Sequence, residues 1–513
     1  MLTRTAEKPE QRVERVVKHE SRPFLWGALG IFLICYVAIA SVSASVVPLW
    51  MDEVLTVWTI RLPSVALIYD ALVRGAEFSP PGWVVFLHVY SEIAGDSLLA
   101  LRLPSIAAVV LAGICSFLLM RRYLGDARAA FGFCLVLDGL YGFAVQVRPY
   151  AGVVACFALA LLFWDGLNRD ESWWRSAVIG ILLALAISLH FYAVLLVPCL
   201  GLIELANCYY IRRFRVALWC ALTAAGASIF VWRPLMRMMS GYCANDSSGG
   251  AYYAQPTLGR FTAAICNLFL EGHVNILLLL IAMIIIVVGR FLGQDDTPSE
   301  QGERRYQRAG LWPIIFGLVL LPVIVFLFSL IVTKTFNERY LVATVIGTSA
   351  LIASCLPATP FFRRMAPFLI LLAALVTSDN LETDKPKLEF AAKVPGPYPI
   401  VVADGLQFFS LMESAAPEIR DRLVYLTLPP ETYIGDATNM HAIERWKAIN
   451  PKLPVENIDQ FVAENPKFYV VDRQTSDDAP TPYLIGRGRI ELTDKVAGTL
   501  VFQSRPLAAV AGK

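Results

Sequence analysis

Residues 24–53 have the sequence FLWGALGIFLICYVAIASVSASVVPLWMDE, and this stretch decides the fold class. Residues 24–47 carry no charged side chain. A helix of this length is about 36 Å long, enough to cross the roughly 30 Å hydrocarbon core of a bilayer. Because the stretch exceeds the apolar core of a signal peptide and no cleavage site followed by a soluble domain comes after it, we interpret it as a membrane anchor. Two acids, Asp52 and Glu53, follow its end.

The composition of the whole chain agrees with a membrane protein. Of its 513 residues, 57% are hydrophobic and 17% are charged, against about 45–50% and 25% in ordinary globular chains. The mean hydropathy is +0.57. These values exclude a disordered chain, a disulfide-stapled secreted module and a plain soluble enzyme. A net charge of +2 offers no bulk attraction for nucleic acid, and the ten cysteines show no CxxC spacing.

Apolar stretches recur along the chain and predict a polytopic α-helical membrane protein. A helix needs about 20 apolar residues to cross the hydrocarbon. About eleven transmembrane helices are predicted, near residues 24–47, 103–120, 128–146, 151–167, 175–190, 191–210, 214–233, 273–290, 311–333, 340–356 and 366–378.

The composition changes after residue 378, and the remainder of the chain predicts a C-terminal soluble α/β domain. Short β-rich pieces alternate there with helical ones, which is typical of a partly parallel sheet. We expect strand 498–504 to be an antiparallel edge strand. The other predicted elements are strands at 399–403, 423–428 and 467–472 and helices at 406–422, 442–447 and 458–464.

The positions of Lys and Arg predict the orientation, because short cytoplasmic loops are enriched in both. The leader is rich in basic residues, so we expect a cytoplasmic N-terminus. The later basic loops agree only if Trp83–Ala94 does not span, and we therefore predict that it forms a juxtamembrane helix in the interface. The predicted organisation is a leader at 1–23, a transmembrane domain at 24–378 with its first extracytoplasmic loop at 48–102, and an extracytoplasmic domain at 379–513.

The acid pair Asp52-Glu53 is the first candidate for chemistry. A carboxylate held at the membrane surface can act as a general base. Adjacent acids also favour the start of a helix, where the macrodipole stabilises negative charge, and this structural alternative stays open. A third interpretation is that both carboxylates hold a hard divalent cation through their oxygen atoms.

Arginines on the extracytoplasmic side are the second candidate. Arg102, Arg148 and Arg339 lie at span boundaries, and the last two are close to tyrosines, Tyr150 and Tyr340. Guanidinium groups suit bidentate capture of a phosphate, although each could instead extend to a lipid headgroup. Further candidates are three side chains within or between the predicted spans: Asp138, His190 and Tyr192.

Several common catalytic motifs are missing from the sequence. There is no Walker A motif, no convincing GxGxxG, no HExxH and no serine nucleophile elbow. The sequence therefore predicts no nucleotide cofactor bound by those routes. The leaving group must be activated within the substrate itself.

Together these residues resemble a known family. Trp50–Glu53 (WMDE), Ser79-Pro80-Pro81 and Leu101–Ser105 (LRLPS) resemble the first extracytoplasmic loop of polyprenyl-phosphate-dependent glycosyltransferases of the GT-C fold. Gln146–Ala151 (QVRPYA) is similar to the family's Q-x-R-x-Y-A stretch, and Glu338–Leu341 (ERYL) to its R-Y-L stretch. The resemblance covers roughly residues 24–360. It is nearest to bacterial relatives of protein O-mannosyltransferases, lipid A aminoarabinose transferase and lipopolysaccharide galacturonosyltransferases.

The resemblance implies a cell-envelope glycosyltransferase of the bacterial inner membrane. The donor would be a hexose or pentose linked through phosphate to a polyprenol, and the acceptor a hydroxyl of a glycan, lipid or protein. Asp52 would deprotonate the acceptor, and Arg148, Arg102 and Arg339 would hold the lipid phosphate. No cofactor is implied with certainty, and a divalent cation stays open. Many relatives have histidine where this chain has Ser79.

Two functions of other classes compete with this one. The chain could be a transporter or flippase of a lipid-linked sugar, although alternating access places the binding site near the bilayer midplane rather than at one interface. It could also be a catalytically silent scaffold whose C-terminal domain binds a partner. Release of polyprenyl phosphate would distinguish a glycosyltransferase from a transporter and from a silent scaffold.

Overall fold

Most of the chain is helical in the computed structural model, which describes residues 9–238, 254–270, 280, 283–285, 298–382, 388–428, 438–473 and 480–505. The predicted span near 273–290 falls almost entirely outside these residues. The chain divides into two compact units. We call them the helical unit (Met1–Ser45, Ala94–Phe230 and Pro256–Thr383) and the sheet unit (Val46–Ile93, Val231–Gln255 and Asp384–Lys513).

The helices follow the apolar stretches of the sequence. Up to residue 227 they are α1 (Pro9–Val46), α2 (Met51–Ile60), α3 (Val65–Val73), α4 (Pro81–Ala94), α5 (Leu98–Leu124), α6 (Asp126–Gly139), α7 (Tyr141–Ala144), α8 (Tyr150–Leu167), α9 (Trp173–Leu189), α10 (Leu196–Ile211) and α11 (Val216–Ala227). The later ones are α12 (Leu258–Leu270), α13 (Pro298–Phe328), α14 (Thr344–Cys355), α15 (Pro360–Thr377), α16 (Gly405–Ser414), α17 (Pro417–Arg420), α18 (Thr438–Ile449), α19 (Ile458–Glu464) and α20 (Pro480–Gly486).

Seven helical segments of the described chain are long and apolar enough to cross a membrane. Each overlaps a span predicted from the sequence, and together they make the chain a polytopic membrane protein. Two further predicted spans, 175–190 and 340–356, coincide with the shorter apolar helices α9 and α14. The seven segments are Pro23–Val46, Leu98–Leu124, Tyr150–Leu167, Phe191–Ile211, Val216–Met238, Gly310–Thr333 and Pro360–Asn380.

The predicted span 128–146 is two helices rather than one. Helix α6 ends at Gly139 and the short α7 begins at Tyr141. Glycines on both sides of the break, Gly139 and Gly142, weaken helical continuity because they lose much backbone entropy in a helix. The chain then passes through a non-helical segment before α8, and this segment carries Arg148.

Helix α4 has the length of a surface helix rather than a span. It contains 14 residues, so it is about 21 Å long, which is shorter than the hydrocarbon core. Three apolar side chains on it, Phe86, Val89 and Ile93, are exposed. Its placement in the membrane interface stays a prediction.

Glycines let helix α13 approach its neighbours closely. A Cβ on Gly317 would lie 2.4 Å from Cγ1 of Ile203 on α10, and one on Gly347 of α14 would lie 2.3 Å from Cβ of Leu318. Close approach of helices through small residues is typical of membrane bundles. Helix α13 is therefore tightly packed against α10 and α14.

The C-terminal segment forms one six-stranded mixed sheet with the order β3-β2-β1-β4-β6-β5. β1 pairs parallel with β2 and β4, and β2 pairs parallel with β3. β6 pairs antiparallel with both β4 and β5. The three central parallel strands are almost wholly buried and rich in valine, as expected for strands covered on both faces. The strands are β1 (Ile400–Val402), β2 (Leu423–Thr427), β3 (Val455–Asn457), β4 (Tyr469–Arg473), β5 (Ile490–Val496) and β6 (Thr499–Ser504).

Two details of this domain differ from the sequence prediction. The predicted edge strand at 498–504 is interior, because β5 pairs with its outer side. Strand β5 was not predicted from the sequence. Its segment IELTDKV is largely exposed, and a register shift between Leu492 and Asp494 interrupts the alternation of buried and exposed residues. The predicted helix 406–422 is two helices, since the residue before Pro417 is driven out of the α region.

Candidate functional site

Three tyrosine rings meet around the ring of His190 in the helical unit. The ring centroid of His190 is 5.2 Å from that of Tyr150, 5.6 Å from that of Tyr340 and 6.1 Å from that of Tyr192. Tyr192 and Tyr340 stack face to face, with centroids 3.6 Å apart and planes 12° apart. We call these four residues the aromatic cluster. They come from three chain segments that are distant in sequence, and all four were candidates from the sequence.

Local hydrogen bonds fix each segment of the aromatic cluster. Nδ1 of His190 accepts the backbone N–H of Tyr192 at 3.3 Å, so in the neutral ring the proton lies on Nε2. The hydroxyl of Tyr192 donates to the carbonyl of Thr335 at 2.6 Å. The side chain of Asn337 accepts the backbone N–H of Arg339 at 3.1 Å and so caps the short helical turn Glu338–Leu341.

Two arginines lie beside the aromatic cluster. The guanidinium carbon of Arg148 is 5.8 Å from the ring centroid of Tyr150, within the range of a cation–π interaction. His190 lies in the turn between α9 and the next helical segment, outside the membrane-spanning helices. Burial first, and then the charges of Arg148 and Arg339, together lower the pKa of His190 to about 3. His190 is therefore neutral at physiological pH, and both positive charges belong to the arginines.

The turn that carries Arg148 is tied to the start of α5. The hydroxyl of Ser105, which is fully buried, donates to the carbonyl of Gln146 at 2.6 Å. This bond joins two of the sequence motifs, LRLPS and QVRPYA. Arg102 is also fully buried, and its Nη1 donates to the carbonyl of Ala44 at 3.0 Å. Arg102 thus contacts the last turn of α1, where the carbonyl groups lack intrahelical donors.

Asp138 has other neighbours. It is buried on α6, beside the tyrosines Tyr36 and Tyr141. The hydroxyl of Tyr141 lies 3.0 Å from Oγ of Ser43 and 3.0 Å from the carbonyl of Asn380. These contacts of Tyr141 connect α7 with α1 and with the turn after α15. The neighbours of Asp138 are therefore different from those that surround His190.

The acid pair lies in the sheet unit, and the structure gives its two members different environments. Glu53 is buried, with 1% of its surface exposed, and its Oε2 accepts the backbone N–H of Trp50 at 3.3 Å. Glu53 therefore turns back over the start of α2, as a capping residue does. Asp52 is only half-buried in the first turn of the same helix. Asp52 is thus the member of the pair that a substrate can reach.

A third acid near α2 was not recognised from the sequence. Glu77 is 3% exposed, and its Oε1 accepts the hydroxyls of Thr56 at 3.0 Å and Ser79 at 2.7 Å. The Thr56 hydroxyl also lies 3.0 Å from the carbonyl of Asp52, so Glu77 is held one turn from that residue. The feature of the sequence that could have indicated this acid is its position, alone in a mostly apolar stretch, two residues before Ser79-Pro80-Pro81. Ser79 itself is a hydrogen-bond donor to this acid.

The residues offer limited support for a divalent cation. Among the residues that the structure describes, no group of three or more His, Cys, Asp or Glu side chains could hold a metal ion. One carboxylate oxygen of Glu53 already accepts a backbone N–H.

The helical unit presents chemistry suited to an anionic ligand. Arg148 and Arg339 supply fixed positive charge, and guanidinium groups bind phosphate oxygens with two parallel hydrogen bonds. Neutral His190 supplies an Nε2–H donor. The tyrosine rings supply apolar faces next to these charges. This combination fits a phosphate carried on a larger, partly apolar molecule.

Comparisons with known proteins find one family model that matches part of the chain. Residues 79–236 match the family model described as dolichyl-phosphate-mannose-protein mannosyltransferase. That range includes Ser79, Arg102, Arg148 and His190. No curated protein sequence matches the chain.

Solved structures match almost the whole chain. ArnT from Cupriavidus metallidurans in the apo state is 13% identical, with 95% of this chain and 99% of that chain covered and a TM-score of 0.57. The same protein bound to undecaprenyl phosphate is 13% identical over the same shares, with a TM-score of 0.54. An oligosaccharyltransferase of Archaeoglobus fulgidus is 14% identical over 86% of this chain and 68% of that chain, with a TM-score of 0.44. The likeness to ArnT shows a common fold.

Proposed function

We propose that this chain, which has the GT-C fold, is a membrane glycosyltransferase that uses a polyprenyl-phosphate-linked sugar as its donor. It transfers a hexose or pentose to an acceptor hydroxyl at the outer face of a bacterial inner membrane. The observation that carries the proposal is the placement of Arg148 and Arg339 beside the aromatic cluster, where a lipid phosphate can be bound. The solved ArnT complex with undecaprenyl phosphate supports the donor class.

In the proposed mechanism the helical unit binds the leaving group. Arg148 and Arg339 hold the phosphate that links sugar and polyprenol, and the Nε2–H of neutral His190 donates to a phosphate oxygen. Negative charge on this phosphate grows as the bond to the sugar breaks, so fixed positive groups stabilise the transition state more than the ground state. Arg102 contributes by fixing the end of α1 and the start of α5.

The base in the proposed mechanism is Asp52. The acceptor oxygen attacks the anomeric carbon of the donor sugar, the bond between that carbon and the phosphate oxygen breaks, and polyprenyl phosphate leaves with the electron pair. The acceptor proton passes to the carboxylate of Asp52. Glu53 keeps the start of α2 in place. Asp138 has no step in this mechanism.

The function is tested with purified protein in proteoliposomes. Undecaprenyl-phosphate-linked hexoses and pentoses, labelled in the sugar, are added outside only, with an envelope extract from cells that lack the gene as the acceptor source. We expect free undecaprenyl phosphate to appear and the label to move to an acceptor. Intact labelled donor in the vesicle lumen would instead show a transporter. If neither release of undecaprenyl phosphate nor crossing of the donor occurred, the catalytically silent scaffold would be the remaining interpretation.

Replacing Ser105 with alanine tests the bond that positions Arg148. The carbonyl of Gln146 would lose its buried donor, which costs about 1 kcal/mol, and the turn would shift relative to the phosphate. We expect the KM for the donor to rise about fivefold, with the KM for the acceptor unchanged. Ser116→Ala is the matched control, because this buried serine of the same helix bonds only its own turn, to Ala112 at 2.7 Å. If Ser105→Ala and Ser116→Ala had equal donor KM values, Ser105 would have no role in positioning Arg148.

We also propose that the C-terminal domain is extracytoplasmic and the N-terminus cytoplasmic. The support is the distribution of Lys and Arg, together with a helix α4 too short to span. A reporter that is active only outside the cytoplasm, fused after Lys513, is expected to be active. The same reporter inserted after Arg213 is expected to be inactive. A reversed pair of results would mean that one span is miscounted.

A further inference from the structure

The C-terminal domain contacts the helix that carries Asp52. Glu413, at the end of α16, accepts the indole N–H of Trp58 at 2.6 Å. Both carboxylate oxygens of Glu413 also lie 3.0 Å from Nη1 of Arg61. Trp58 and Arg61 are at the C-terminal end of α2, and Asp52 is at its N-terminal end. Because α2 is a single ten-residue helix, a tilt imposed at one end moves the other.

A second set of contacts holds the turn that carries Glu77. The indole N–H of Trp446 on α18 donates to the carbonyl of Ala76 at 3.1 Å, and this bond is buried. The guanidinium carbon of Arg445 lies 5.2 Å from the ring centroid of Phe78. Ala76 and Phe78 are the two chain neighbours of Glu77, so α18 contacts the backbone on one side of this acid and a side chain on the other.

One aromatic residue connects the two sets. The ring centroid of Trp58 is 5.3 Å from that of Phe409 on α16 and 5.2 Å from that of Trp446 on α18. Trp58 and Trp446 meet edge to face, a favoured geometry for aromatic pairs. The two acid-bearing segments are therefore fixed to one surface of the C-terminal domain, formed by Phe409, Glu413, Arg445 and Trp446.

We propose that Glu413 and Trp446 are positioning residues for catalysis, and that the C-terminal domain serves the reaction by holding α2 and the Glu77 turn in their working geometry. This inference rests on the proposed function of Asp52 as the base. A general base has to lie within hydrogen-bonding distance of the proton it removes, and a displacement of about 1 Å can lower a rate about 100-fold. Neither positioning residue contacts substrate in this proposal.

The test compares three variants of the full-length protein in proteoliposomes. Trp446→Phe removes the N–H donor and keeps a ring against Trp58. Glu413→Ala removes the acceptor of Trp58 and Arg61. Asp459→Asn is the matched control, because it removes the negative charge that pairs with Arg487 at 2.7 Å, a contact that lies wholly within the C-terminal domain.

Two readouts are measured on each variant. The first is kcat and the donor KM with labelled undecaprenyl-phosphate sugar. We expect kcat to fall about 10- to 100-fold in Trp446→Phe and Glu413→Ala, with the donor KM within twofold of wild type. The second is hydrogen exchange of the α2 amides, which requires no substrate. We expect faster exchange in these two variants and wild-type exchange and kcat in Asp459→Asn.

The outcomes separate this inference from the proposed function. Unchanged exchange in both positioning variants would overturn the mechanical part of the inference. Faster exchange with wild-type kcat would overturn its link to catalysis. A fall in kcat that Asp459→Asn shares would mean a general loss of folded protein and would also overturn it. Absence of transfer by the wild-type protein, with altered exchange in the variants, would contradict the proposed function alone.

Discussion

Replacing Asp52 with asparagine is expected to abolish sugar transfer while the protein still folds and inserts. Asparagine keeps the size of the side chain but cannot take a proton from the acceptor hydroxyl at neutral pH. Loss of a general base lowers a rate by about 100- to 10,000-fold. The measurement is kcat for release of undecaprenyl phosphate by purified variant protein, with donor and acceptor saturating and the donor KM determined separately. The donor KM is expected to change little, because Asp52 acts on the other substrate.

Two control substitutions make the result for Asp52 specific. Glu53→Gln keeps an acceptor for the N–H of Trp50, so it is expected to lower kcat only slightly. Asp70→Asn changes an exposed acid on the next helix that pairs with Arg74 at 2.9 Å, and it is expected to leave kcat unchanged. Wild-type turnover by the Asp52→Asn variant would contradict the assignment. Glu53 and Glu77 would then be the acids to test.

Replacing Arg148 is expected to weaken use of the donor. Losing one charge-assisted contact costs roughly 1.5–3 kcal/mol, which corresponds to about a 10- to 150-fold loss of kcat/KM. Arg148→Ala is expected to show that full loss. Arg148→Lys is expected to recover little, because an ammonium group cannot make the planar two-pronged contact of a guanidinium. The measurement is kcat and donor KM with the acceptor saturating.

The matched control for Arg148 is another arginine placed over an aromatic ring. Arg121 lies 5.2 Å from the ring centroid of Trp26, at the opposite end of α5 from Ser105. Arg121→Lys is expected to leave the donor kinetics unchanged. If both Arg148 variants matched wild type, Arg148 would serve a lipid headgroup, and the phosphate site would rest on Arg339 and Arg102. A rise confined to the acceptor KM would place Arg148 on the acceptor instead.

The membrane helices could be predicted from the sequence because a long uncharged stretch has few structures open to it in a bilayer. Arg148 and Arg339 were also identifiable, since each stands close to a tyrosine at a predicted span boundary. Their meeting around His190 was not. Tyr150, His190 and Tyr340 have no local pattern in common, and only the packing of α8, α9 and the turn before α14 brings them together.

Other features of the structure depend on individual side-chain hydrogen bonds, which hydrophobic periodicity cannot predict. Glu77 is a lone acid whose importance comes from bonds to Thr56 and Ser79. The different environments of Asp52 and Glu53 depend on which side chain turns back to the N–H of Trp50. Strand β5 is mostly polar because one side of it has no neighbouring strand.

The contact between Trp446 and Ala76 has a consequence for how the protein is made in the cell. The two residues are 370 positions apart in the chain, and ribosomes add about 5–20 residues per second. The segment that carries Asp52 is therefore synthesised roughly 20 to 70 s before its partner surface exists. During that interval α2 exists without the domain that contacts it. Under the proposed positioning role, sugar transfer would begin only after α18 has been synthesised and has packed against Ala76.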